Sequence, residues 1–447
     1  MTMKTLKWYI GMAVCCMCWL TACQDNDKTD VDVNGTPEQE EEVKKDEPQH
    51  PAPPQETNTR KEITLTESEQ GVAALGADFA FRLLQAVETS LSPAQRGQIV
   101  LSPLSAEIAL AMLANGAVGD TQREIVDALG YAGQSMADVD SYHQKLAQNL
   151  TGLDDRAEMN LANSLWLHPD FAVKERYTQL LGDCYAADIR RLDFTAPDAV
   201  ATINAWCEEK TKGLIKNFLQ ELNADGGLLL LNALYFNGMW KMAFDEKATE
   251  RGFFTNEEGS RTAVELMRMT CSLRYAQTEL YEAACLPYGN DSFRMTLLLP
   301  REGVSVSHCL ASLDRQSWAA LQAKLGSVNA IADVKLPKFQ IAGQRQDLQE
   351  ALQAMGIRKA FADADLSGIS DRMGAVSKVA QAVSLRTDEN GTEAASVTGI
   401  EMDGAADGDS ATSTVIPFHV DRPFLFLITE RSTGTVLFIG RMGAMAY

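Results

Sequence analysis

Residues 386–417 read RTDENGTEAASVTGIEMDGAADGDSATSTVIP, between AVSKVAQAVSLRT (375–387) and FHVDRPFLFLIT (418–429), both of which read as strands. A connection this long without a secondary-structure signal is uncommon inside a compact domain and is usually functional or disordered. Its composition is selective. Thr387 to Asp421 holds no Lys or Arg, Thr387 to Pro417 holds no aromatic residue, and Pro417 is the first proline after Pro337. A disordered linker tolerates proline freely, whereas a segment that becomes an inner strand does not, because proline removes a ladder donor. Side chains alternate along a strand. One set is then Thr392, Ala394, Ser396 and Thr398, all small. The other is Glu393, Ala395, Val397, Gly399 and Glu401, with both acids. Such a strip can slide between two strands, small side inward and charged side to water, with Gly391 as the hinge. The same spacing also fits an acidic surface loop, and spacing alone does not choose between the two.

Glu389-Asn390-Gly391-Thr392-Glu393-Ala394-Ala395-Ser396 resembles the hinge of the serpins, the suicide protease inhibitors, and Phe418 to Ile428 (FHVDRPFLFLI) resembles that family's C-terminal signature. The resemblance implies an α+β serpin fold: a large mixed central β-sheet, two smaller sheets, eight or nine helices and an exposed reactive-centre loop. It extends to other blocks between about residues 72 and 441. IVLSPLSAEIALAMLANGA (99–117) resembles the shutter beneath the sheet, with Ser102 and Ser105 in it. Ser102 also reads as a helix N-cap, with Pro103 as the first helical residue. Asn232 sits inside an apolar run (227–236) that reads as a buried strand, and the resemblance places it in the shutter hydrogen-bond network. Gln381 stands where many serpins carry His. Trp240 in FNGMW resembles the tryptophan of the breach, where the loop enters the sheet. Ile203–Ile215 resembles the segment after the sheet-crossing helix. KLPKFQI (335–341), the region 347–361 and Ala364–Ile369 also resemble family blocks.

The resemblance implies that a serine or cysteine protease attacks the loop as a substrate and forms an acyl-enzyme, which loop insertion then traps. Counting the family's spacing forward from Glu389 places the reactive bond between Ala405 and Ala406. Counting back from Pro423 places it after Thr412, seven residues further on, so the loop is longer than usual. The hinge count is preferred because insertion length sets inhibition. Small residues around that bond and the absence of Lys, Arg and aromatic residues fit an elastase-like or subtilisin-like pocket. Ile400-Glu401-Met402-Asp403, followed by Gly404, resembles sites cut by Asp-specific proteases and gives the alternative bond Asp403–Gly404. A second reading is a serpin that binds at a surface without trapping; Val397, larger than usual near the hinge, leaves room for it.

Elsewhere the chain sets boundaries. Lys4 and Lys7 followed by an apolar stretch to Ala22 read as a targeting segment, too short for a comfortable membrane span. Leu20-Thr21-Ala22-Cys23 resembles a bacterial lipoprotein box. Residues 1–22 are then a signal peptide and Cys23 the lipidated mature N-terminus, which implies an outer-membrane lipoprotein facing outward. Residues 23–62, rich in Asp, Glu, Pro and Thr, read as a disordered tether. Residues 63–447 are the globular domain, expected to be a monomer. In 447 residues, 45% hydrophobic, the formal net charge is −21, which argues against nucleic acid as a partner. Asp120–Glu124 reads as a helix start with Thr121 and Glu124 spaced as a capping box, and Glu282–Pro300 as a hairpin. None of the five histidines has a metal-binding spacing, and no nucleophile elbow, phosphate loop or dinucleotide fingerprint occurs. No cofactor and no enzymatic activity are expected. The mature chain keeps Cys184, Cys207, Cys271, Cys285 and Cys309, an odd number read as buried thiols with at most one disulfide.

Overall fold

The computed structural model describes residues 59–222, 228–371, 376, 379–392 and 415–445. In chain order the elements are α1 (Glu67–Ser90), β1 (Gln98–Leu101), α2 (Pro103–Gly116), α3 (Gly119–Leu129), α4 (Met136–Asn149), β2 (Ala157–Leu167), α5 (Glu175–Tyr185), β3 (Ala187–Arg191), α6 (Ala199–Lys210) and β4 (Leu228–Met239). There follow β5 (Glu250–Thr255), β6 (Arg261–Gln277), β7 (Tyr281–Pro287), β8 (Phe293–Pro300), α7 (Val306–Ala311), α8 (Arg315–Ser327), β9 (Asn329–Pro337), β10 (Phe339–Asp347) and α9 (Gln349–Ala354). The chain closes with β11 (Ala380–Thr387), β12 (Gly391–Thr392), β13 (Ile416–His419), β14 (Phe424–Glu430) and β15 (Val436–Met442).

The strands form two sheets. One has six strands in the order β10-β11-β12-β4-β2-β3, antiparallel throughout except for the parallel β2–β3 pair. The other has nine, running β1-β15-β14-β8-β7-β6-β9-β13 with β5 also on β6. The two smaller sheets of the expectation run into one another here because β6 is 17 residues long: its first part pairs with β5 and β9 and its end with β7. The fold is α+β, with nine α-helices among the described residues. Every residue of β14 and β15 is buried, so these strands read as mostly apolar runs without alternation. Arg441 in β15 is tolerated there because Glu88, 2.7 Å away, and Glu257 hold its guanidinium.

Helix α2 links the layers, packing on β4 of one sheet and β15 of the other, and nearly all its residues are buried. Ser102 caps it as expected: its Oγ accepts from Ser105 N–H at 3.3 Å, with Pro103 in the first helical position. Two local readings need correction. Helix α3 begins at Gly119 with Val118 as its N-cap and no side-chain cap. Thr121 Oγ1 instead accepts from Asp365 N–H at 3.0 Å, and Glu124 Oε2 from Arg358 and Lys359 N–H at 2.8 and 2.7 Å, so backbone from a distant segment takes the groups a capping box would use. Ile203–Lys210 belongs to helix α6 itself rather than to the segment after it.

Candidate functional site

Strands β11 and β12 are joined by a tight turn with Glu389 and Asn390 at its corner. Asp388 N–H donates to Gly391 O at 2.9 Å and Gly391 N–H to Asp388 O at 3.3 Å. Thr387 faces Thr392 across this hairpin, and Gly391 and Thr392 face Met239 and Gly238 of β4 on the other side. Gly391 and Thr392, just past the turn that opens the long connection, therefore already lie in the sheet, between β11 and β4. Among the described residues β11 and β4 share no ladder with each other.

The turn is clamped from the end of β4. Trp240 Nε1–H donates to Asp388 O at 2.9 Å. Phe244 N–H donates to Glu389 O at 2.9 Å, and Trp240 N–H to Asn390 O at 2.8 Å. Three consecutive carbonyls of the turn are thus satisfied by one short segment, as buried backbone requires. Trp240 stacks on Tyr288 with ring centroids 4.5 Å apart, and the Tyr288 hydroxyl meets Thr392 Oγ1 at 2.6 Å. Trp240, expected at the breach, holds the root of the loop with both its backbone and its indole.

In this conformation close approach requires a glycine at 391. Its φ is not among the positive ones, but a Cβ there would lie 2.0 Å from Gly238 O and 2.7 Å from Met239 Cα. Only glycine lets β12 come this near β4.

Glu389, 5% exposed, is the electrostatic anchor. Its carboxylate pairs with Lys338 Nζ at 2.8 Å and accepts from Thr249 Oγ1 at 2.6 Å. Burial opposes its ionisation, but the Lys338 ammonium, the Thr249 hydroxyl and its own backbone N–H outweigh that and hold the carboxyl below its usual range. A depressed carboxyl contributes stability that is full above its unfolded-state value, near 4.3, and fades as the pH falls through the folded value. Glu389→Gln is therefore expected to loosen the turn at pH 7 by about 1.5–3 kcal/mol, the range for a charged hydrogen bond, and by less at about pH 3, where that stability has begun to fade. Urea unfolding of parent and variant at both pH values measures the difference; an equal gap at both would contradict this role.

Below the turn, Ser102 N–H donates to Gln381 Oε1 at 2.8 Å and Ser102 Oγ–H to Ser105 Oγ at 2.8 Å. Ser102, Ser105 and Gln381 are thus brought together, tying α2 to β11. Asn232 is not joined to them. Its Nδ2–H donates to Asn163 Oδ1 at 2.6 Å, and Asn163 in turn donates to Tyr185 O at 2.6 Å. Asn232 Oδ1 and Gln381 Nε2 are buried without a partner, one on each strand flanking β12. Of the expected hinge, Glu389, Gly391 and Thr392 are described. Ala394, Ala395 and Ser396, and both candidate bonds at Asp403–Gly404 and Ala405–Ala406, lie outside the described residues, as does Cys23.

Sequence reasoning missed Lys338, Thr249, Tyr288 and Asn163. Asn163 had a signal: a polar residue in NLANSLWL directly opposite Asn232 in the β2–β4 register. Tyr288 and Lys338 had none beyond their place in CLPYGND and KLPKFQI. The described cysteines are all free; Cys184 is half-buried and the other four are buried.

The six-stranded sheet thus carries the root of the long connection as a short inner strand between β11 and β4. The chain belongs to the serpin family: the family model for serpins, serine protease inhibitors, matches residues 74–444. Human neuroserpin is 32% identical over 361 residues, covering 77% of this chain and 85% of that protein. The native-state crystal structure of tengpin, a thermophilic serpin, superposes with a TM-score of 0.75 at 27% identity, covering 87% of this chain and 97% of that one. Human thyroxine-binding globulin superposes at 0.76, also 27% identical, covering 85% and 100%. Members of the family are in general protease inhibitors rather than enzymes.

Proposed function

We propose that this serpin is a suicide inhibitor of elastase-like or subtilisin-like serine proteases. One observation carries the reading: Gly391 and Thr392 are already paired between β11 and β4, which share no ladder of their own among the described residues. A protease cuts the loop at Ala405–Ala406 and remains as the acyl-enzyme. The freed segment then extends β12 down the sheet. About a dozen new ladder bonds at roughly 1 kcal/mol each drive this insertion. It drags the tethered protease and distorts an active site that works only within about 0.5 Å of its geometry.

Two rival readings have specific support. Ile400–Asp403 favours an Asp-specific protease cutting at Asp403–Gly404. Thyroxine-binding globulin, a structural relative named for a small ligand, favours a binding scaffold. Incubating residues 63–447 with elastase, subtilisin, trypsin and granzyme B separates them by denaturing gel and intact mass. The expected result is an SDS-stable adduct with elastase or subtilisin, cut at Ala405–Ala406. Cleavage without adduct supports the scaffold, and an adduct with granzyme B alone moves the bond to Asp403–Gly404.

The same proposal places the protein at the bacterial outer membrane, lipidated on Cys23, with residues 23–62 holding the domain outward as a monomer. The LTAC sequence supports this. Mass analysis of the N-terminal peptide from membrane extracts tests it, a lipidated Cys23 being the expected species.

A further inference from the structure

Helix α2, whose start touches β11, carries a carboxylate one and a half turns later that the loop mechanism does not use. Glu107 is 3% exposed. Tyr131 Oη–H donates to its Oε1, and Gly76 of α1 leaves room for it: a Cβ there would lie 3.4 Å from Glu107 Oε2. Its one charged-capable partner is His143 of α4, whose Nε2 stands 3.9 Å from Oε1. Among the described residues no Lys or Arg pairs with Glu107. Neither ring nitrogen of His143 has a hydrogen-bond partner, and the ring lies between Tyr142 and Tyr185, at centroid distances of 5.1 and 5.5 Å.

The surrounding titratable groups are engaged elsewhere. Tyr142 Oη meets Thr435 Oγ1 at 2.8 Å. Tyr185 Oη–H and Asn115 Nδ2–H both donate to Asp140 Oδ1, at 2.6 and 2.7 Å. Glu430, whose field reaches Tyr142, accepts from Ser432 and Thr433 N–H at 2.7 and 2.8 Å. Cys184 lies beside Tyr185 and Asp140 and is a half-buried thiol.

We propose that Glu107 and His143 are both uncharged in the folded protein and form a pH-compensating pair, which keeps the stability of the helix layer under β11 constant through mildly acidic pH. An ionised carboxylate here would be desolvated with one phenol for company, and an imidazolium would have no acceptor within hydrogen-bond reach. Both charged forms are therefore disfavoured, in opposite pH directions. Burial pushes Glu107 up to about 7 and His143 down to about 3. The raised carboxyl adds stability that is full below its unfolded value, near 4.3, and is lost as the pH rises towards the folded one. The depressed imidazole costs nothing above about 6.5 and progressively more as the pH falls. Between about pH 4.5 and 6.5 the two slopes are equal and opposite. On unfolding in that window Glu107 releases one proton and His143 takes one up, so the pair exchanges no net proton with solvent. Because Ser102 at the start of α2 holds Gln381, this insulates the strand beside the loop root from acidification. The inference stands whether or not the chain traps a protease.

Glu107→Gln keeps the shape and the acceptor for Tyr131, and His143→Phe keeps the ring packing. Urea unfolding between about pH 5 and 7 reads the effect relative to the parent. In Glu107→Gln, where only His143 titrates, the unfolding constant should rise by up to about tenfold per unit fall in pH; in His143→Phe it should rise by up to about tenfold per unit rise. Infrared difference spectra at about pH 6 should show a buried protonated carboxyl in the parent that is missing from Glu107→Gln. The proposal is overturned if that band is absent, which would mean a buried ion pair, or if either variant follows the parent's pH profile.

Discussion

Thr392→Arg should turn the protein from a trap into a plain substrate. Thr392 has no solvent exposure. Its Oγ1 lies 2.6 Å from the Tyr288 hydroxyl and 3.3 Å from Thr387 Oγ1. Tyr288 is itself fixed by Trp240 on its face and by Phe236, whose ring centroid is 5.1 Å away with the planes at 74°. An arginine must either bury its guanidinium among these rings, at a cost of several kcal/mol, or draw β12 out of the sheet. Each 1.4 kcal/mol slows a step about tenfold, so insertion becomes roughly a hundred- to a thousandfold slower, while the loop beyond remains as cleavable as before. Hydrolysis of the acyl-enzyme then wins the race. The measurement is the ratio of SDS-stable adduct to cleaved protein after reaction with elastase. Thr392→Ser, which retains the hydroxyl, should keep the parental ratio. Parental adduct yield from Thr392→Arg would show that inhibition, if any, does not run through this strand.

What could be read from the sequence follows the range of the interactions involved. The Ser102 cap is a contact over three residues, and it is present. The β7–β8 hairpin and the strand at 228–239 follow from apolar runs and turn residues, and both are present. The Thr121–Glu124 spacing is equally local, yet it misled. A capping box only offers acceptors, and the N–H groups of Arg358, Lys359 and Asp365, more than two hundred positions away, take them first. Gly391 shows the same limit. Local reasoning could read it only as a hinge; the need for a bare Cα opposite Gly238 O comes from a strand brought alongside by folding. The Glu389–Lys338 pair and the Glu107–His143 contact join elements far apart in the chain. Nothing in the composition around Glu107 separates a buried acid on a central helix from an exposed one.

Cutting the loop without a trapped protease should raise the melting temperature of the domain by roughly 12 °C. A dozen ladder bonds at about 1 kcal/mol each give on the order of 10 kcal/mol once the cut end is free to insert. A domain of roughly 390 residues has an unfolding entropy near 0.8 kcal/mol per kelvin, which sets the conversion. The sheet is prepared for this gain. β12 has begun the strand, and Gln381 Nε2 and Asn232 Oδ1 stand unpartnered on the two strands that flank it. The uncut protein is then held in its native form by a kinetic barrier rather than by equilibrium. Limited digestion with a metalloprotease, which forms no acyl-enzyme and so cannot be trapped, followed by calorimetry, is the measurement. A cleaved form that melts with the parent would mean that the loop does not enter the sheet, and the scaffold reading would replace the inhibitor. The Thr392→Arg variant separates the two steps. It should be cut at the parental rate yet gain little in melting temperature, because insertion begins at that residue. An equal gain in the variant would show that the strand can form without Thr392 at its head, and the site built by Trp240, Tyr288 and Glu389 would then hold the turn without governing entry.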